Sequence, residues 1–258
     1  MTAPSLRPLS VGEILDVSFG LYRRHFGALA TVALLCSGLP VLLSIYIEAA
    51  GGMLTNLGLT LAYYVIFMVL SAIATAATVY IVSESYLGRP LGAGEALSRA
   101  TPLLWRIVVC SILLALVVGI GFLLFLFPGV ILACGLILAF PVLVLEPATT
   151  PTGALGRSWA LTRGSRLRMF ALLVTLVILL YIPLVSLAGV AAMLLPAAEL
   201  APGRSPGAGG LVAVALAGVV QMLIYPLFYC VLTVAYYDLR VRKEGFDLEV
   251  LASTLQPA

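Results

Sequence analysis

Charge and histidine are what this sequence has least of. Charged residues make up 10% of the 258, and His25 is the single histidine, against 62% hydrophobic residues. A typical soluble domain carries ~25% charged residues, so water is not the main solvent of this chain. One histidine excludes a multi-histidine metal site and makes a Ser-His-Asp triad hard to build. No Walker or HExxH segment occurs, so the common local signatures of P-loop nucleotide users and zinc hydrolases are absent. Cys36, Cys110, Cys134 and Cys230 stand apart in apolar runs with no CxxC pair. They form neither a disulfide framework nor a zinc site, and read as small packing residues. With a net charge of only +3 and no basic patch interleaved with aromatics, a nucleic-acid partner is not expected. No catalytic, cofactor or metal constellation emerges, and the chain reads as a non-enzyme.

What the sequence has is apolar length. The mean hydropathy is +1.17, and runs of about 20 apolar residues recur, the length a helix needs to cross a hydrocarbon core of roughly 30 Å. The expected fold is all-α: six transmembrane helices near 26–47, 57–82, 104–127, 129–145, 169–195 and 211–235. The third and fourth are separated only by Phe127-Pro128-Gly129, read as a turn. One membrane domain covers 1–258, with an interfacial helix in 1–25, six spans in 26–235 and a tail in 236–258.

The basic residues orient this arrangement. Arg7, Arg23 and Arg24 precede the first span; Arg89, Arg99 and Arg106 fall between the second and third; Arg157, Arg163, Arg166 and Arg168 between the fourth and fifth; Arg240, Arg242 and Lys243 after the sixth. Only Arg204 lies in a loop of the other side. Positive charge prefers the cytoplasmic side, so both termini are expected in the cytoplasm. Arg23-Arg24 followed by an apolar run superficially resembles an export signal, but the run exceeds a signal's 7–15 apolar residues and reads as an uncleaved anchor.

Ser10 and Glu13 have capping-box spacing, with Leu9 and Ile14 placed as a hydrophobic staple, so a helix should begin there. Its apolar and charged arcs predict that it lies in the interface plane. Related openings occur at Gly94-Glu95 and Thr150-Pro151-Thr152-Gly153. With Gly12 as the first match, they suggest three units of an interfacial helix plus a hairpin.

Ionisable residues all fall at or near helix ends, and Gln221 is the deepest strongly polar side chain. A charged transport pathway is therefore disfavoured. Pro40, Pro141, Pro183 and Pro226 read as ordinary kinks. Ser71-Ala72-Ile73-Ala74-Thr75-Ala76-Ala77-Thr78 reads as a close-packing surface.

The segments Phe127-Pro128-Gly129, Phe140-Pro141-Val142-Leu143-Val144-Leu145-Glu146 and Ala154-Leu155-Gly156-Arg157-Ser158-Trp159-Ala160-Leu161-Thr162-Arg163-Gly164 resemble the membrane domain of glycerophosphoryl diester phosphodiesterases and related bacterial six-helix proteins. Leu9-Ser10-x-Gly12-Glu13-Ile14-Leu15-Asp16 and Tyr236-Tyr237-Asp238-Leu239-Arg240-Val241-Arg242-Lys243-Glu244-Gly245 resemble that group's entry and exit segments. The resemblance implies a bacterial cytoplasmic membrane location. It implies no hydrolase activity, because in that family the activity belongs to a separate soluble barrel with paired acidic metal ligands, absent from these residues.

The expected role is therefore a lipid- or protein-binding or scaffolding module with membrane lipids as partners; no protein partner or oligomeric state is legible. Glu146, Arg157, Trp159, Arg163, Asp238 and Arg240 are the candidate site, read either as a cytoplasmic-face ion network or as a lipid-headgroup site. The alternative function is a small carrier of an apolar or zwitterionic solute, with a cavity lined by Ser71, Thr75, Thr78 and Gln221. A lipid-modifying enzyme ranks third and would need metal held near Glu146 and Asp238, where further ligands are lacking.

Overall fold

The computed structural model describes residues 7–53, 55–194, 207–246 and 248, and all regular structure among them is helical. The helices are α1 (Val11–Arg24), α2 (Phe26–Ala49), α3 (Leu57–Tyr86), α4 (Ala93–Ala100), α5 (Leu104–Leu124), α6 (Leu126–Leu136), α7 (Ala139–Leu145), α8 (Pro151–Thr162), α9 (Arg166–Leu194) and α10 (Ala208–Glu244). A tight 3-10 turn, Thr101–Leu103, joins α4 to α5. Six stretches are long and apolar enough to cross a membrane: α2, α3, α4 through α5, α6 through α7, α9 and α10. The protein is a multi-pass membrane protein. Arg204 and residues 249–258 of the expected tail lie outside the described residues.

α10 is the hub, packing against α1, α2, α3, α7, α8 and α9. At a rise of about 1.5 Å per residue its 37 residues extend roughly 55 Å, and the 30 of α3 roughly 45 Å, both longer than a hydrocarbon core of ~30 Å. The surplus lies toward the arginine-rich end. There the core is dense: Ala74–Val79 of α3 and Tyr229–Leu239 of α10 are buried. Toward the other end Leu42, Leu61, Leu123, Phe127, Tyr181 and Val212 are exposed to what would be lipid. The bundle is therefore tight at the end rich in charge and open to lipid at the opposite end.

Three expectations change. The Pro-Gly turn between the third and fourth spans is displaced: Phe125, in extended conformation, separates α5 from α6, while Pro128 lies in the first turn of α6, where its missing N–H is not needed. Gly129 serves close approach instead. A Cβ there would lie 2.9 Å from the Cα of Phe122 and 2.5 Å from its ring, while one on Gly121 would lie 3.1 Å from the Cα of Gly129. The sixth helix does not end near residue 235 but runs to Glu244, where Gly245, at φ +64°, ends it in the left-handed conformation glycine tolerates.

α1 also differs. Its capping box forms as expected: the Ser10 N–H donates to Glu13 at 2.7 Å and the Glu13 N–H to the Ser10 hydroxyl at 3.3 Å. The Ser10 N–H, aided by Arg7 at 2.5 Å, holds the Glu13 carboxyl well below its ordinary value, at about 2. Yet α1 does not lie flat across the bundle end. The Leu9 N–H meets Asp238, whereas the Tyr22 hydroxyl donates to the Leu223 carbonyl, roughly 22 Å away along α10 at helical rise. The helix leans along α10, burying Ile14, Ser18 and Leu21. Each pair of spans follows a short helix, but those short helices have different seats: α1 packs on α10, α4 on α3, and α8 across α5, α6 and α7.

Gly129→Val should force α5 and α6 apart and destabilise the protein by about 1–3 kcal/mol, the usual cost of overpacking; a lowered thermal midpoint in detergent, with helix content at low temperature unchanged, is the expected result.

Candidate functional site

The arginine-rich end holds its carboxylates in separate clusters. In the first, Asp238 is fully buried at its side chain and accepts from Arg168 at 3.0 Å, from Arg242 at 3.1 Å and from the Leu9 N–H at 2.7 Å. Arg242 also donates to the Leu9 carbonyl at 2.7 Å, and Arg168 donates to the same oxygen. One carboxylate thus ties the segment before α1 to α9 and α10. Placing such a group away from water is costly unless it is fully paired, and here it is.

In the second cluster Glu146, which ends α7, accepts from Arg157 of α8 at 3.2 Å and from the Tyr236 hydroxyl at 3.0 Å. Arg157 reaches Glu244 at 2.6 Å, and Glu244 also pairs with Arg240 at 3.1 Å. The Arg240 guanidinium lies 4.2 Å from the Phe246 ring centre. A third cluster pairs Glu84 with Arg89 at 3.1 Å and Arg99 at 3.6 Å. Arg106 donates to the carbonyls of Pro147 and Thr149, and Lys243 to those of Ala160 and Arg163.

α8 supplies a cradle for the interrupted fourth span. Between α6 and α7 the helical ladder breaks, and its freed groups find partners on α8: the Ser158 hydroxyl donates to the Gly135 carbonyl at 2.9 Å and accepts from the Leu138 N–H at 3.2 Å, while the Thr162 hydroxyl donates to Gly135 at 3.0 Å. Trp159 lies so close over Gly135 that any Cβ there would collide with the indole. An interrupted span survives in lipid only if its free backbone groups are met in this way. The Arg-Ser-Trp-x-Leu-Thr sequence of α8 is thus explained residue by residue: Arg157 pairs, Ser158 and Thr162 bond the break, Trp159 covers it, and Leu161 is buried.

The predicted site residues do not form one network. Glu146, Arg157 and Arg240 are joined through Glu244; Asp238 belongs to the other cluster. Trp159 carries the Arg166 guanidinium at 3.8 Å from its ring centre. The Arg163 side chain is exposed and has no ion-pair partner among the described residues; its carbonyl is what takes part. Sequence reasoning missed Arg242, Glu244, Tyr236 and the Leu9 backbone as partners, and placed Arg168 only among the basic residues between the fourth and fifth spans. The Asp238–Arg242 and Arg240–Glu244 pairs carry an i,i+4 signal, whereas Arg168 with Asp238 carries none.

Two clefts flank α10 in the open half. One, of about 80 Å³, includes Ser37, Ser44, Ser71, Gln221 and Tyr225; the other, of about 260 Å³, lies between α9 and α10 and includes Leu180, Tyr181, Gln221 and Phe228. Of the polar path expected from sequence, Ser71 and Gln221 line the first cleft. Thr75 is buried with its hydroxyl 3.1 Å from that of Tyr225, and Thr78 is buried. Among the described residues no group of three or more His, Cys, Asp or Glu side chains is arranged to hold a metal ion.

A family model described as the membrane domain of glycerophosphoryl diester phosphodiesterase matches residues 104–254, from the start of α5 past the end of α10. No curated protein and no solved structure matches the chain.

Asp238→Ala leaves Arg168 and Arg242 facing an empty buried site. The expected cost is about 3–5 kcal/mol, as for other broken buried pairs, read as a lowered melting temperature and as proteolysis within residues 7–10, which lose their tie to α10.

Proposed function

We propose that this chain, which belongs to the family of glycerophosphoryl diester phosphodiesterase membrane domains, is a non-enzymatic binding module of the bacterial cytoplasmic membrane that engages anionic lipid at its arginine-rich end. Both termini lie in the cytoplasm, since positive charge is retained on that side during insertion.

One observation supports the binding role. Of the described carboxylates at the arginine-rich end all but Asp16 are held by arginines, whereas Arg23, Arg24, Arg163 and Arg166 have no carboxylate partner among the described residues. The acids brace the helices, so the chemistry left over is positive. A basic residue near an anionic leaflet contributes about 1 kcal/mol of attraction. General acid-base or metal-assisted chemistry would need the carboxylates that the braces occupy.

The carrier reading rests on Gln221, an exposed amide with no hydrogen-bond partner among the described residues, facing both clefts in the open half. Solute uptake into proteoliposomes that disappears in Gln221→Leu would favour it over the binding module.

Reconstituted with equal amounts of phosphatidylglycerol and phosphatidylcholine and then released for native mass spectrometry, the protein should retain phosphatidylglycerol preferentially; equal retention would refute the binding proposal. For orientation, single cysteines placed at Thr55 and Ser98 in a cysteine-free background should react differently with an impermeant maleimide on intact cells: Thr55→Cys labelled, Ser98→Cys protected. The reverse pattern would invert the topology.

A further inference from the structure

Within that lipid-binding reading, on which it rests, we infer a defined site: the phosphodiester of one anionic glycerophospholipid sits at the start of α9, between Arg166 and Arg163, beside Trp159.

Arg166 is set apart from its neighbours. Arg157 and Arg168 are committed to Glu146, Glu244 and Asp238, while Arg166 pairs with no carboxylate among the described residues. Its guanidinium lies 3.8 Å from the Trp159 ring centre, and its Nε is buried without a hydrogen-bond partner among the described residues. Stacking on an aromatic face fixes the plane of a guanidinium while leaving its edge to bond an anion, and that edge matches the paired oxygens of a phosphate. Trp159 is itself immobilised over Gly135, so the stacked arginine stands on a rigid floor.

Two further cations lie close by in the chain or fold. Arg163, three residues before Arg166, is exposed and has no ion-pair partner among the described residues, and the Lys243 ammonium bonds the Arg163 carbonyl. Neither these two nor Arg166 has a described carboxylate within ion-pair distance, so an anion is what would balance the group.

The surroundings select a lipid rather than a free phosphate. Arg166 opens a membrane-spanning helix, and the next residue, Leu167, is 87% exposed, as a side chain turned toward acyl chains would be. Phe170 and Val177 are exposed at i+4 and i+11 from Arg166, which puts them on its side of α9 and offers an apolar track below the headgroup.

The test uses the full chain in nanodiscs of mixed phosphatidylglycerol and phosphatidylcholine, with retained lipid counted by native mass spectrometry. Quenching of Trp159 by brominated phosphatidylglycerol in a Trp105→Phe background gives a second, local readout. Arg163→Gln, which removes an exposed side chain with no described partner and leaves folding intact, should weaken phosphatidylglycerol retention about fivefold, the equivalent of ~1 kcal/mol. Arg163→Gln with Arg166→Gln should weaken it roughly tenfold or more and abolish the preferential quenching. Arg89→Gln, a loss of charge elsewhere at the same end, should change it less than about twofold.

An equal loss in Arg89→Gln and in the double variant would overturn the site while leaving a diffuse lipid attraction standing. No phosphatidylglycerol preference in the unaltered protein would overturn both. Competition by soluble glycerol phosphate as effective as that by the lipid would overturn the assignment to a lipid.

Discussion

Asp238 has no solvent contact at its side chain, and the hydrogen bonds it accepts come from three separate parts of the chain: Leu9 before α1, Arg168 in α9 and Arg242 in α10. A carboxylate withdrawn from water must have its charge and lone pairs met by protein, which couples the position of each donor to the others. Leu9 fixes where α1 starts and hence how it leans along α10. Arg168 fixes the start of α9 against the hub. Much of the arrangement at the arginine-rich end depends on that one buried charge being satisfied.

The interrupted fourth span imposes a second condition of the same kind. Backbone groups released between α6 and α7 cannot be left to hydrocarbon, so Ser158 and Thr162 must stand on α8 at the height of Gly135, and Gly135 must lack a side chain because Trp159 covers it. Arg157 then ties α8 to Glu146 and Glu244, and through them to α10. Once these requirements are met, Arg166 is left stacked on Trp159 with no acid to pair among the described residues, since the described acids nearby are held by Arg157, Arg168, Arg240 and Arg242.

The dense end and the open end follow from different forces. Lipid supplies no hydrophobic drive for helices to associate, so the tight part of the bundle forms where small residues allow close approach and polar groups can pair. Ala72 through Ala77 of α3 and Tyr236 through Leu239 of α10 meet those terms. The opposite half, rich in Leu, Val and Phe, has no comparable reason to close, and Gln221 is left facing the two clefts.

Apolar length was enough to read six spans and an all-helical fold, and the spacing of Ser10 and Glu13 the α1 capping box, because hydrophobic thickness and N-terminal capping act over one helix or less; the family came from the resemblance of short segments such as residues 154–164. Glu146 with Arg157 and the importance of the Arg-Ser-Trp segment were also visible as residues of interest. The sequence could not show that Phe125, not Pro128-Gly129, makes the turn, that residues 236–244 continue α10, or that Arg168 and Leu9 share Asp238. The sharing of Asp238 depends on segments meeting across 70 to 229 positions of chain, and only the folded bundle decides which buried charge finds which partner, since each polar group withdrawn from water takes whichever donor packing brings within reach.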